Sequence, residues 1–215
     1  MKVLELFSGT GSVKKICHEY GFDCVSIDID DKFHAVDIKQ DILTWDYRIY
    51  KPGDFDIIWA SPPCASFSSM LPITKTKQEI IGLMNSIGIP LLEKTREIID
   101  YLKPEYYFIE NPKTGRMKNY ITDLPYHDVT YCKYGFSYFK PTRIWTNLDS
   151  FEPKYCKKGS FCNHKLEHGK HAGNIGTTRK TPNSKFGKSN IGNKTKLAEK
   201  YAIPPDLIRS IFNSI

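Results

Sequence analysis

The stretch from Lys2 to Asp28, "KVLELFSGTGSVKKICHEYGFDCVSID", constrains the fold more than any other part of this chain. A short apolar run, "KVLELF", enters a glycine-rich turn. The segment that follows, "GSVKKICHEYGF", has helical spacing and closes on Gly21, and "DCVSID" returns as a strand. This is a βαβ unit, the opening of an α/β domain built on parallel strands.

The rest of the chain continues the alternation. "FDIIWA" reads as a further strand, and Gln78 to Leu102 as mostly helical, with Gly88 and Pro90 expected to break or kink the helix. "EYYFIE" is a strand running into Asn111-Pro112, "YHDVTYC" and "TRIWTN" form a closing pair, and "PPDLIRSIFNSI" is a last helix started by proline. The order predicts a mostly parallel sheet, whose ligands bind beyond the carboxyl ends of the strands. Those ends read "FSGTGS", "DID", "QDI", "SPPC" and "ENP", all expected on one rim.

Composition limits what else the 215 residues hold. A hydrophobic fraction of 40% suits one core with a small appended element. No apolar stretch approaches the roughly 20 residues of a membrane span, and the first apolar run is broken by Glu5 and Ser8. The six cysteines are therefore expected as reduced thiols in a cytoplasmic protein with no membrane partner. The net charge of +7 is concentrated: Lys154 to Lys200 carries twelve Lys/Arg against two acids. That segment, with "GKHAGNIGTTRKTPNSKFGKSNIGNK", favours loops and reads as a phosphate-contacting surface; a merely solvated lysine-rich loop is the plainer alternative.

Phe7, Ser8, Gly9 and Gly11 form a turn at which a ligand can approach the backbone, but the third glycine of a dinucleotide fingerprint is missing. Asp28, seventeen residues after Gly11 and at a strand end, can accept both hydroxyls of a ribose. Together they suggest a nucleoside cofactor without a diphosphate. Cys64 follows two prolines on the rim, among Ser61, Ser66, Ser68 and Ser69, which favours a presented thiol over a buried structural one. Glu110, between a strand and Asn-Pro, is a carboxyl expected to be desolvated toward the range of a proton donor. A thiol and a carboxyl without an evident catalytic histidine are not protease chemistry.

In order, "LFSGTGS", "SPPCASFS", "IENP" and "YGFSYFKPTRIWTN" resemble four sequence motifs of the DNA cytosine carbon-5 methyltransferases, above all their compact phage and virus-type members. The resemblance covers about Val3 to Asn147, with an echo at "YAIPPDLIRSI". It implies a Rossmann-like fold dependent on S-adenosylmethionine, a reversed last strand and a DNA substrate, in the host cytoplasm or nucleoid for a viral chain. By position, Phe7, Ser8, Gly9 and Gly11 would line the cofactor, Asp28 hold its ribose, Asp41 reach its adenine, and Ser61 and Pro62 border its methionine end. Cys64 would attack carbon 6 of a flipped cytosine, Glu110 act at ring nitrogen 3 and Arg143 contact O2. The sequence departs from the family at Ala65, where glutamine is usual, and at "YFKPTR", which leaves Lys140 and Arg143 as the basic pair.

The expected layout is a catalytic domain over 1–150, a small basic target-recognition insertion over 151–195 and a C-terminal helix over 196–215 returning to the catalytic domain, in a monomer. In "YCKKGSFCNH", Cys156, Cys162 and His164 fall close enough for a zinc staple, with Cys132, His168 or His171 to complete it and Cys132 preferred. Free thiols and a phosphate-contacting histidine are the alternative. Other readings are a methyltransferase of exocyclic amines, against which Cys64 and Glu110 argue, a non-catalytic nucleic-acid-binding relative, and an enzyme of RNA cytosines.

Overall fold

The computed structural model describes residues 1–157, 162, 171, 198 and 201–215. Within them the elements run β1 (Lys2–Leu6), α1 (Ser12–Glu19), β2 (Asp23–Asp28), β3 (Ile38–Lys39), β4 (Ile57–Ala60), α2 (Lys77–Leu83), α3 (Ile89–Leu102), β5 (Tyr106–Pro112), β6 (Tyr126–Thr130), β7 (Pro141–Thr146) and α4 (Pro205–Phe212). The strands form one sheet in the order β3-β2-β1-β4-β5-β7-β6. All pairings from β3 to β5 are parallel, and β7 lies antiparallel to both β5 and β6. This is the Rossmann-like methyltransferase form expected above, with one reversed strand.

Side chains alternate across the sheet and fill a layer on each face. Leu4, Leu6, Ile58, Ile109 and Trp145 pack with Leu92, Ile98 and Leu102 of α3. Val3, Ile57, Trp59, Phe108 and Ile144 pack on the other face with Val13 and Ile16 of α1 and Leu207, Ile208 and Ile211 of α4. All four residues of β4 are buried, which is why "IIWA" reads as an unbroken apolar run. Pro205 starts α4, and Arg209 on that helix donates from Nε to Glu19 at 3.0 Å, fixing it against the end of α1.

At Gly88 and Pro90 the α-helix is interrupted, as expected: a π-helical turn, Met84–Gly88, joins α2 to α3 and accommodates a proline that has no N–H to give. The polar stretch before "QDI" also contains a two-residue strand, β3, too short to be seen as a hydrophobic run.

Candidate active site

The parallel register sets the site. Leu6 lies level with Ile27 and with Ala60, and Ala60 with Ile109. The next residue on each strand, Phe7, Asp28, Ser61 and Glu110, therefore stands at one height, on one rim.

At the first strand end the chain turns through three left-handed residues, Phe7 (φ 57°), Gly9 (φ 53°) and Gly11 (φ 65°). Two are glycines that adopt this backbone freely; Phe7 is strained there, as residues at ligand sites often are. Asp28 holds the turn, its Oδ2 accepting from the Gly9 N–H at 2.8 Å and its Oδ1 from Asp30 N at 3.0 Å. Each oxygen keeps a lone pair for another donor. Asp41 follows β3, where Gln40 N donates to Asp28 O at 3.0 Å and Leu43 N to Asp41 Oδ1 at 3.0 Å. Ser61 N donates to Leu6 O at 3.2 Å, which keeps Ser61 and Pro62 beside the turn.

Glu5 and His34 also shape this turn and were not singled out from the sequence. Glu5, buried on β1, accepts from Val13 N and Lys14 N, both at 3.1 Å, and so caps α1 from outside the helix. Burial pushes its carboxyl up to about 8, against the pull of those N–H groups and of Lys14 and Lys15. The His34 ring covers Gly11, and its Nε2 lies 3.0 Å from Ser8 Oγ. A lone histidine in a polar loop carries no spacing signal; an acid inside an apolar strand beside a glycine turn is one that could have been used.

Cys64 is half-buried in the loop after β4. Three hydrogen bonds tie that loop to the end of β5 and the turn after it: Asn111 Nδ2 to Pro62 O at 2.8 Å, Arg116 N to Phe67 O at 2.8 Å, and Arg116 Nη1 to Ser68 O. Glu110, beside Asn111, is buried and accepts from the Tyr131 hydroxyl at 2.8 Å. Burial, then the Glu110 charge, raises the Tyr131 phenol well above its ordinary value, so it remains a donor.

Arg143 is not brought to Glu110. Glu110 pairs with Ile144 across the antiparallel ladder, so Arg143, one residue along β7, projects from the opposite face. There its Nε and Nη2 bond Asp128 at 2.8 and 3.1 Å, and its guanidinium stacks 3.5 Å over the Tyr126 ring. Lys113 Nζ reaches the same Asp128 at 2.9 Å. On the Glu110 side it is Lys140 whose ammonium lies 4.3 Å over the Tyr131 ring.

A second cluster lies beside Tyr131. Cys132, Cys156, Cys162 and His171 each offer one ligand atom, all within 4.8 Å of one another, and the three cysteines are buried. His171 Nε2 is 3.2 Å from Cys162 Sγ and 3.6 Å from Cys156 Sγ. A tetrahedral zinc, with sulfur at about 2.3 Å and nitrogen at about 2.0–2.1 Å, separates such atoms by about 3.6 Å. Among the described residues the imidazole is His171; His164 and His168 lie outside them.

The sheet order, the reversed seventh strand and a glycine turn with its partner carboxylate on the carboxyl rim define a Rossmann-like methyltransferase. Residues 1–120 match the family of C-5 cytosine-specific DNA methylases. A Frog virus 3 (isolate Goorha) protein named "Probable DNA (cytosine-5)-methyltransferase" is 43% identical over 170 residues, covering 75% of this chain and 78% of the viral one. This chain belongs to the C-5 cytosine-specific DNA methylases. Its fold is similar to that of the Entamoeba histolytica methyltransferase EhMeth, with a TM-score of 0.51 at 16% identity over 74% of this chain; it spans 57% of that chain's length. The family implies S-adenosylmethionine as cofactor and DNA as substrate. Among the described residues no helix is long and apolar enough to cross a membrane.

Proposed function

We propose that this chain methylates carbon 5 of a cytosine turned out of the DNA stack, with Cys64 as nucleophile and Glu110 as the acid at ring nitrogen 3. One observation carries the reading: the Asn111 to Pro62 hydrogen bond ties the loop that bears Cys64 to the strand end that bears Glu110. A thiol and a carboxyl from separate loops must keep a fixed relation if both are to meet one ring.

Carbon 5 of an aromatic cytosine is a poor nucleophile. The Cys64 thiolate adds to carbon 6 as Glu110 hydrogen-bonds or protonates N3, which lowers the penalty of breaking aromaticity and leaves carbon 5 electron-rich. S-adenosylmethionine, when bound, supplies the electrophilic methyl group. Loss of the carbon-5 proton to a base then lets the thiol leave and restores the ring. The residues proposed to hold the cofactor are Phe7, Ser8, Gly9 and Gly11 through the turn, Asp28 at the ribose, Asp41 near the adenine, and Ser61 and Pro62 at the methionine end. The open left-handed turn and the spare lone pairs of Asp28 fit such a ligand.

Arg143 is proposed to brace the Glu110 loop, sharing Asp128 with Lys113, instead of touching the base. A structural zinc is proposed at Cys132, Cys156, Cys162 and His171, whose spacing and donor set suit it. The test is mass spectrometry of nucleosides from DNA and RNA incubated with the protein and methyl-labelled cofactor. The expected product is 5-methylcytosine in DNA; N4-methylcytosine or N6-methyladenine as the main product, or label in RNA alone, would overturn the proposal.

A further inference from the structure

Glu110 has a fixed partner that the reaction above does not use. Tyr131, buried at 0% exposure, donates its phenolic hydrogen to Glu110 Oε1, leaving Oε2 to meet the base. The last torsion of a glutamate is broad and nearly two-fold, so an unheld carboxyl presents either oxygen, at varying angles. With Oε1 held as an acceptor, the acidic proton belongs on Oε2.

Tyr131 is itself held from several sides. Its N–H donates to Lys140 O at 3.1 Å, and its ring lies under the Lys140 ammonium and edge-on to Phe136. The residue before it, Thr130, donates its N–H to Lys154 O at 3.2 Å and accepts from Cys156 N on Oγ1 at 2.8 Å. The residue after it, Cys132, belongs to the four-ligand cluster. Both neighbours of Tyr131 are thus tied to the segment that carries Cys156.

We propose that Tyr131 is the positioning residue of Glu110, and that a zinc ion bound by Cys132, Cys156, Cys162 and His171 clamps the backbone on which Tyr131 stands. This rests on the reading of Glu110 as the group facing cytosine N3. The site is structural: four protein ligands close the coordination sphere and leave no open position for substrate.

The experiment uses the full chain with DNA and S-adenosylmethionine. The purified protein should carry about one zinc per chain. Cobalt in its place should give thiolate-to-metal absorption, which Cys162→Ser abolishes. Tyr131→Phe should lower kcat by roughly tenfold to a hundredfold, the scale of a misplaced reacting group, with KM for DNA, cofactor affinity and metal content unchanged. In a Glu110→Gln background the same substitution should add little further loss, because both changes act through one carboxyl. Wild-type kcat in Tyr131→Phe, or a full multiplicative loss in the Glu110→Gln background, would overturn the positioning role. If Glu110→Gln itself left kcat intact, the catalytic assignment would have failed instead, and Tyr131→Phe would read as structural. Should Tyr131→Phe not fold, chelation of the wild-type protein decides: single-turnover rate should fall while cofactor binding persists, and a metal-free protein at full rate would overturn the clamp.

Discussion

Gly88→Ala sets two effects of known sign against each other. Gly88 has helical backbone, φ −67° and ψ −51°, where alanine is ordinarily the better residue by about 1 kcal/mol. A Cβ at this position, however, would lie 2.5 Å from Ser66 Oγ and 2.8 and 2.9 Å from Phe67 ring carbons. The buried Phe67 ring cannot swing clear as an exposed side chain could. Overpacking of this kind costs about 1–3 kcal/mol, so the contact outweighs the helical gain and the net loss is about 1 kcal/mol. For a chain of this size that lowers Tm by about 2–4 °C.

Activity should respond more sharply than stability. Phe67 N bonds Cys64 O at 3.1 Å, so a shift that clears the new methyl moves the thiol with it. Gly88→Ala should leave cofactor affinity unchanged and reduce kcat about tenfold or more, since a misplacement near 1 Å can cost a hundredfold. Thermal melts, calorimetric titration of cofactor and methyl-transfer kinetics read the three effects separately. A Gly88→Ala protein that is more stable and fully active would refute the claim that the π-helical turn bears on the Cys64 loop.

Three further outcomes follow from the same geometry. DNA containing 5-fluorocytosine should trap a covalent complex in the presence of cofactor, since fluorine is not lost as the proton is; Cys64→Ala should abolish trapping and keep cofactor binding, and equal trapping would remove Cys64 as nucleophile. Because burial holds Glu5 up to about 8, the folded chain keeps a proton there that the unfolded chain releases from its ordinary 4.5; this stability is whole below pH 4.5, declines as pH rises and is lost through about pH 8. Urea midpoints should fall over that window, and less so in Glu5→Gln; identical profiles would assign the slope to other groups. If the basic segment contacts phosphates, replacing Lys157, Lys158 and Arg179 with Ala should flatten the salt dependence of DNA binding, by about 0.9 in log-log slope per lost contact; an unchanged slope would refute it, and Lys158 and Arg179 lie outside the described residues.

What the sequence makes legible here is what neighbouring residues encode. The βαβ opening, the glycine turn and the proline-fixed loop are each written in a few adjacent letters, and all recur at the places expected. What it hides depends on register or on distant chain. Lys140 and Arg143 look interchangeable until the pairing of Glu110 with Ile144 puts Arg143 on the other face. Ligand spacing in "YCKKGSFCNH" finds two cysteines, but spacing alone does not say which histidine joins them; among the described residues it is His171. Glu5 reads as a polar interruption in a strand because its partners, Val13 and Lys14, lie across a turn.

The strand order explains why these residues can serve one reaction. Along β2, β1, β4 and β5 the rim presents Asp28, the Phe7–Gly11 turn, the Cys64 loop and Glu110, each one strand spacing of about 4.8 Å from the next. That is the sequence the proposed reaction needs: the sugar of the cofactor at one end, the base at the other, the thiol between. A parallel strand beyond β5 would bring another carboxyl end to the rim. The reversed β7 brings its amino end instead, so Lys140 arrives beside the last residues of β5 while the chain leaving β6 delivers Tyr131 to the same place. The hydroxyl that reaches Glu110 is therefore a product of the reversed β7, and the cysteine that follows it carries the link onward to Cys156, Cys162 and His171.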